Sequence, residues 1–374
     1  MDRKIKICHL TSVHRATDTR IFYKECRSLA SLYDVSLITP AGKDSEIDGV
    51  KIIALRRPKT RLERFIITDT VLLIKAAKLN AALYHFHDPE LIIAALVLRL
   101  LGKKIIYDVH EMVVADFDEK KWLPFKSAMK AIYHFFENLA LRYFNLVLAD
   151  EAYAEIYNSR KPGYTVIQNF VPLRELKVNE PYHVESNAIA FVGMLSARRG
   201  LPYILEALAI LKQKNIRIIL RCIGEVNEDV KEILKNSSSW NEIKEQVDFK
   251  GYIPFPQSIL DVRDCMAGVA LLEDLPNNQK SFSTKMFEYM AVGLPVICSD
   301  FQVFKDIIEK YDCGVAASPE NPESIAAAIE SLFFDKARAT QMSVKAKSAA
   351  INFDWKTEEE KLLEFYNRIL IHTN

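Results

Sequence analysis

The chain has 374 residues, of which 49% are hydrophobic and 26% charged, with a net charge of +1 and six cysteines. Such a balance excludes a disordered or low-complexity chain and a disulfide-stapled secreted scaffold, and the length suggests about two domains of ~100 to 200 residues. Charge is unevenly spread: residues 1–180 hold 28 Lys+Arg against 22 Asp+Glu, or +6, and residues 181–374 hold 22 against 27, or −5.

The opening MDRKIKICHLTS carries basic residues followed by only a short apolar strand. No later run approaches the ~18 unbroken apolar residues of a membrane span. A cytoplasmic protein is expected, neither secreted nor integral, with Cys8, Cys26, Cys222, Cys265, Cys298 and Cys313 as scattered, reduced thiols. β-Rich runs and helical patterns then alternate: KIKICHL, a helix over Arg20 to Leu32, DVSLITP, VKIIAL, a helix near Leu62 to Leu79, ALYHFHD, a helix over Pro89 to Leu101, KKIIYDVHE, a long helix ending near Phe144, LVLAD, a helix over Glu151 to Asn158, and YTVIQNFV. Alternation of this kind predicts a parallel sheet.

The polar stretch from Arg174 to Asn187 lacks an apolar period and reads as a linker. The pattern restarts with AIAFVGM and continues through a helix from Leu201, IRIILRCIG, VDFKGYI, GVALLED, LPVICSD, GVAAS and two closing helices. Two doubly wound α/β domains facing across a cleft are expected, with ligands at the carboxyl ends of the strands.

Several residues stand out at those ends. In KSFSTKMFEYMAVGLPVICSD, Lys285 and Glu288 are spaced i, i+3 near a helix start, where unpaired amides and the macrodipole attract phosphate. A surface ion pair is the plain reading of such a pair. The apolar neighbours Met286, Phe287, Tyr289 and Met290 argue instead for a pocket in which the carboxylate accepts ribose hydroxyls and the ammonium meets phosphate. FVGMLSARRGLPYILEAL brings Gly193 and Gly200, which permit tight turns, together with Arg198 and Arg199. His87 beside Asp88, and His110 beside Asp108 and Glu111, end two strands and offer imidazoles to a sugar hydroxyl, against an even claim for satisfied loop histidines. Asp116 and Asp118 form a D-x-D, discounted as a metal site because no third ligand accompanies it.

As an ordered set, TSVHRATDTRIFYKE, HDPE, YDVHE, VIQN, FVGMLSARRG and STKMFEYMAVGLPVICSD resemble a retaining glycosyltransferase of family 4, with the GT-B fold, from the first strand to the last helix. The resemblance implies an acceptor-side Rossmann-like domain at 1–173, a linker at 174–187, a nucleotide-sugar domain at 188–353 and a closing helix at 354–374 that crosses back. It implies that Glu288 holds the ribose, that Arg199 contacts the diphosphate, that His110 lies near the donor sugar and leaving group, and that Gly193, Ser283, Thr284 and Lys285 complete the donor site. His87 and Asp88 fall on the acceptor or sugar side. Two positions depart from the family pattern: Lys280 stands where a glutamate is usual, and Met194 where an arginine is usual, a loss that Lys285 offsets.

The implied reaction moves a sugar from a UDP- or GDP-linked donor to a hydroxyl of a growing, lipid-linked glycan, with no cofactor, metal or nucleic acid. The +6 first half, the cluster Arg56, Arg57, Lys59, Arg61 and Arg64, and the stretch Lys120 to Lys126 suggest docking at an anionic membrane face. A GT-B sugar-nucleotide 2-epimerase and a non-catalytic sugar-nucleotide-binding partner are the alternatives.

Overall fold

A computed structural model describes residues 4–110, 126–157, 163–177, 181–236 and 238–371. Glu111, the Asp116 and Asp118 pair and the stretch Lys120 to Phe125 lie outside the described residues, as do the side chains of Arg61 and Lys126. The chain divides into two compact units, Met1–Asn169 with Trp355–Asn374, and Phe170–Asp354. Residues 174–187 therefore count with the second unit, and the closing helix Trp355–Ile371 counts with the first.

The first unit is built on strands β1 (Lys6–Leu10), β2 (Asp34–Pro40), β3 (Ser45–Ile47), β4 (Val50–Leu55), β5 (Leu83–Phe86), β6 (Lys104–Val109), β7 (Asn145–Leu148) and β8 (Tyr164–Val166), in the order β3-β4-β2-β1-β5-β6-β7-β8. Every pair is parallel except β3 with β4. Period-two alternation sends Cys8, Leu10, Tyr84, Phe86 and Tyr107 to one face, against helices Asp69–Leu79, Ile92–Leu100 and Lys126–Tyr143. The other face carries Ile7, Leu83 and Ile106, packed on Phe22 and Leu29 and on Trp355, Phe365 and Tyr366 of the closing helix. Burial on both faces accounts for the near-continuous apolar strand sequences.

The helix between β1 and β2 starts at Thr19, where the Asp18 carboxylate accepts from the amides of Arg20 and Ile21. Its turns are wide, running as a π-helix over Thr19–Cys26 before tightening to an α-helix over Arg27–Ala30. That winding turns Arg20 and Glu25 inward, where both are buried.

The second unit holds β9 (Ala188–Val192), β10 (Ile219–Ile223), β11 (Val247–Gly251), β12 (Ala267–Ala270), β13 (Val296–Ser299) and β14 (Gly314–Ala317), all parallel, in the order β11-β10-β9-β12-β13-β14. The strand order reverses between β9 and β12, and a crevice at the carboxyl ends of such strands is where ligands bind in open α/β sheets. A close approach fixes the helix Thr284–Ala291 here: a Cβ on Gly268 of β12 would lie 2.2 Å from the Tyr289 ring, so the bare glycine admits it. All six cysteines are buried and free. No helix among the described residues is long and apolar enough to cross a membrane.

Candidate functional site

In the second unit the chain leaves β9 at Val192 and turns at Gly193, which holds φ +129°. A Cβ at Gly193 would stand 2.6 Å from Arg199 Nη1 and 3.7 Å from Lys285 Cε. A hydrogen side chain is thus what lets two cations close over this turn. Arg199 ends the short turn Ala197–Arg199 and is half-buried, just ahead of Gly200 and the helix Leu201–Gln213. Burial lowers the pKa of its guanidinium, against the opposing influence of Tyr289 and Glu288. A poorly hydrated but still charged group of this kind gains from an anionic partner.

The helix Thr284–Ala291 begins beside it. Ser283 is its N-cap, in extended backbone and without a side-chain capping bond, and the first amides of a helix have no acceptor within it. Ser283, Thr284 and Lys285 are partly exposed there, whereas the Glu288 side chain is only 1% exposed. Lys285 Nζ lies 2.5 Å from Glu288 Oε2, one turn further along. The pair is therefore an ion pair, but a buried-edge one rather than two solvated charges. Lys280 and Met194, the two departures from the family pattern, are both exposed. Two cations, a helix start and a buried carboxylate make a place for an anion flanked by hydroxyls.

The carboxyl ends of β1, β5 and β6 carry a second polar assembly in the first unit. His87 is buried with both ring nitrogens engaged, Nδ1 3.0 Å from Asp108 Oδ2 and Nε2 3.0 Å from His9 Nδ1. Asp88 is buried too: its Oδ2 accepts from Thr11 Oγ1 at 2.9 Å and from the Ser12 amide at 2.6 Å, which pins the loop after β1. Asp108 receives Arg20 bidentately, Nε and Nη2 each at 2.8 Å. Burial pushes the Asp108 carboxyl up, but the Arg20 charge and the hydrogen bonds from His110 and His87 carry it well below its ordinary range. Burial also holds His9, His85 and His87 below the usual histidine range, so they are neutral near pH 7.

His110 differs from these. Its side chain is partly exposed, and its Nδ1 sits 3.5 Å from Asp108 Oδ2, a long contact beside the shorter one that His87 makes to the same oxygen. The ring of His14 meets it edge-on, with centroids 5.7 Å apart. His14 also reaches Asp88 Oδ1 at 3.5 Å and Asp18 Oδ2 at 3.4 Å. In the sequence His14 stands out only within a longer motif; its position four residues before Asp18, the residue that caps the helix starting at Thr19, is the available signal. The structure therefore brings Gly193, Arg199, Ser283, Thr284, Lys285 and Glu288 together in one unit, and places His87, Asp88 and His110 around the strand ends of the other, with His87 acting through its neighbours rather than from an open face.

Comparison with known proteins gives two family matches: Glycosyltransferase Family 4 over residues 19–175 and Glycosyl transferases group 1 over residues 174–349. An uncharacterized glycosyltransferase of Methanocaldococcus jannaschii is 24% identical over 198 residues, covering 50% of this chain and 48% of the relative. Phosphatidyl-myo-inositol mannosyltransferase of Mycolicibacterium smegmatis is 22% identical over 192 residues, covering 50% of this chain and 47% of the relative. The match thus spans about half the length of these curated relatives. Among solved structures, Anabaena HepE in complex with UDP-glucose superposes with a TM-score of 0.73 at 15% identity, covering 97% of this chain and all of that one.

Proposed function

The chain belongs to the family 4 glycosyltransferases of the GT-B fold, and from that premise we propose that it transfers a sugar from a nucleoside diphosphate donor to a hydroxyl of a growing glycan, with retention at the anomeric carbon. The observation that carries this reading is the convergence of Arg199, Lys285 and Glu288 on the turn at Gly193. In the proposed complex Arg199, Lys285 and the amides at Thr284 hold the diphosphate, and Glu288 accepts the ribose hydroxyls. UDP-glucose in the Anabaena HepE structure supports a nucleotide sugar as the donor class.

During transfer the C–O bond to the diphosphate breaks and negative charge grows on the leaving oxygen. Cations already in place stabilise that charge without reorganising, an effect worth about 3 to 4 kcal/mol for one preorganised donor. The same phosphate oxygen then takes the acceptor proton on the face where the new bond forms. His110 is assigned to the sugar end, and Asp88 keeps the loop Thr11 to His14 in shape for the acceptor. No cofactor or metal enters this scheme.

The acceptor is proposed to be lipid-linked, and the first unit to rest on an anionic membrane face. Leu62 and Ile66, 68% and 61% exposed, lie with Phe65 and Ile67 on the helical stretch after β4, beside the exposed Arg57 and Lys59. Ile93, Val97 and Leu100 are likewise exposed, on the helix Ile92–Leu100. An exposed apolar face rimmed by basic groups suits the headgroup boundary. The basic cluster, one of the three features expected to favour docking, is partly neutralised, since Arg56 pairs with Glu63 and Arg64 with Glu90. The lipid named in the mannosyltransferase relative is in keeping with this acceptor class.

The test is a thermal-shift and calorimetric screen of the chain against UDP, GDP, ADP and dTDP and their sugars. A matching nucleotide at 100 times its Kd stabilises by about 2.7 kcal/mol, and Arg199→Ala removes that shift. If no nucleotide in the panel raises the melting temperature, the donor reading fails.

A further inference from the structure

Beyond donor chemistry, the interior of the first unit holds a group of side chains that the proposed reaction leaves unused. His9 from β1, Glu25 from the helix after it, and His85 and His87 from the end of β5 are all fully buried or nearly so, at 0 to 1% exposure. One ligand-capable atom from each lies within 4.8 Å of the others. Glu25 Oε2 stands almost equidistant from three imidazole nitrogens: 3.8 Å from His9 Nδ1, 3.7 Å from His85 Nδ1 and 3.8 Å from His87 Nε2. His9 Nδ1 and His87 Nε2 are 3.0 Å apart. A tetrahedral ion with bonds of about 2.0 to 2.1 Å separates its ligands by about 3.4 Å, which lies inside that range of distances.

Glu25 is strained where it stands: burial and the Asp108 charge raise its carboxyl well above the usual range, with Arg20 opposing, and neither of its oxygens makes a well-formed hydrogen bond although the side chain is wholly shielded from solvent. Arg20 Nε is 3.2 Å from Glu25 Oε1, but its single hydrogen is given to Asp108. A buried acceptor left in this way is costly, and native interiors satisfy such groups by a partner, a water or an ion. The outer contacts also orient the rings. His87 Nδ1 is held by Asp108, which turns Nε2 toward the group, and His9 Nε2 is held by the Tyr366 hydroxyl at 3.1 Å, which turns Nδ1 inward. Carboxylate–histidine pairs of that form are the usual outer support of metal-bound imidazoles.

We propose that His9, Glu25, His85 and His87 bind one divalent transition-metal ion, of the zinc class, as a closed structural centre inside the first unit. Three nitrogen donors and one carboxylate suit zinc or cobalt better than magnesium or calcium, which prefer oxygen sets. His85 must exchange its 2.7 Å contact with Tyr366 for the ion, and the 3.0 Å hydrogen bond between His9 Nδ1 and His87 Nε2 must open so that both nitrogens bind it. The nearby set His87, Asp108 and His110 is the weaker candidate, because Asp108 already holds Arg20 and an ion there would face the guanidinium. Such a centre ties β1, the helix at Thr19–Cys26 and β5 together, and through Tyr366 the closing helix.

The untagged full chain, produced in cobalt-supplemented minimal medium and dialysed against EDTA to strip surface metal, is analysed for metal content and visible absorption. About one cobalt per chain with the d–d bands of a four-coordinate site is expected. Glu25→Gln should lose that cobalt, and Tyr366→Phe, which keeps the fold's shape, should weaken retention by about 10- to 100-fold. Less than about one-tenth of a cobalt per chain in the wild type overturns the proposal outright, whatever the variants do. Equal retention by soluble Glu25→Gln overturns it too, since the ion would then sit elsewhere. Nucleotide binding is not involved, so either result is independent of the transferase reading.

Discussion

The Tyr289 hydroxyl accepts the backbone N–H of Val192 at 2.8 Å, tying the buried helix Thr284–Ala291 to the last residue of β9. That one bond links the element carrying Lys285 and Glu288 to the turn at Gly193. Tyr289→Phe keeps the ring against Gly268 and removes only the acceptor, leaving the Val192 amide buried without a partner. The expected loss is about 1 to 3 kcal/mol of stability, with weaker nucleotide binding because both halves of the site loosen. Urea unfolding and nucleotide titration check it; an unchanged midpoint and Kd would show that the bond carries no strain from one element to the other.

Gly193→Ala puts a methyl group 2.6 Å from Arg199 Nη1, in a backbone conformation that L-residues rarely adopt. The guanidinium has to swing away, so nucleotide affinity should fall by more than about tenfold while the strain costs only about 1 to 3 kcal/mol. Wild-type Kd in a folded variant would remove Arg199 from the phosphate contact.

Lys285→Ala and Lys280→Ala separate the two readings of the STKMFE segment. Lys285 sits at the helix start and is paired with Glu288, whereas Lys280 is exposed before it. Transfer measured as kcat/KM should fall by about 10²-fold or more for Lys285→Ala, as for loss of one preorganised charge-stabilising group, and hardly change for Lys280→Ala. Glu288→Ala should raise the KM for donor along with the loss of rate. Equal tolerance at 280 and 285 would mean that Lys285 does not compensate for Met194.

The alternation of strands and helices was legible because parallel strands buried on both faces are written as apolar, β-branched runs such as VSLIT and LVL. β3, with the sequence SEI, was missed, since three largely exposed residues on an antiparallel edge carry no such signal. The short helix Ser238–Ile243 was missed for the same reason of length. The donor loop was legible because its residues lie within two continuous segments. The His9, Glu25, His85 and His87 group was not, because only the two-residue spacing of His85 and His87 is local and the other two arrive through sheet pairing and a wide helical turn. For His87, sequence shows a histidine at a strand end, and only packing shows it sealed beneath its neighbours.

Asp69 gives a pH signature in the first unit. Its carboxyl is pushed up to about 7, mainly by burial, with Glu90 and Asp88 adding to the effect and Ser12 and Arg64 opposing it. A folded pKa above the unfolded one favours the protonated form in the native state. The contribution is therefore fully present below about pH 4 and is lost as pH rises toward about 7. Asp69→Asn should leave stability at pH 4 nearly unchanged and raise it at pH 8. Parallel melting curves that differ by the same amount at both pH values would mean that the carboxyl titrates normally.

Membrane docking gives a prediction with two separable parts. The apolar part comes from Leu62, Phe65, Ile66 and Ile67, and the electrostatic part from Arg57 and Lys59, at about 1 kcal/mol per basic residue near an anionic surface. Sedimentation with vesicles containing phosphatidylglycerol should therefore be strong at low salt and fall as salt is raised, because screening acts on the charges and leaves the apolar contacts in place. Arg57→Glu with Lys59→Glu should abolish the salt-sensitive part, and Phe65→Ser with Ile66→Ser the part that survives in salt. All four positions lie far along the chain from the donor residues, so nucleotide affinity should stay at the wild-type value in each variant. Self-association is the competing use of such a face, and it predicts a dimer at high salt that Phe65→Ser with Ile66→Ser dissolves. A chain that ignores anionic vesicles at low salt, whether or not it dimerises, has no membrane-docking face at this surface.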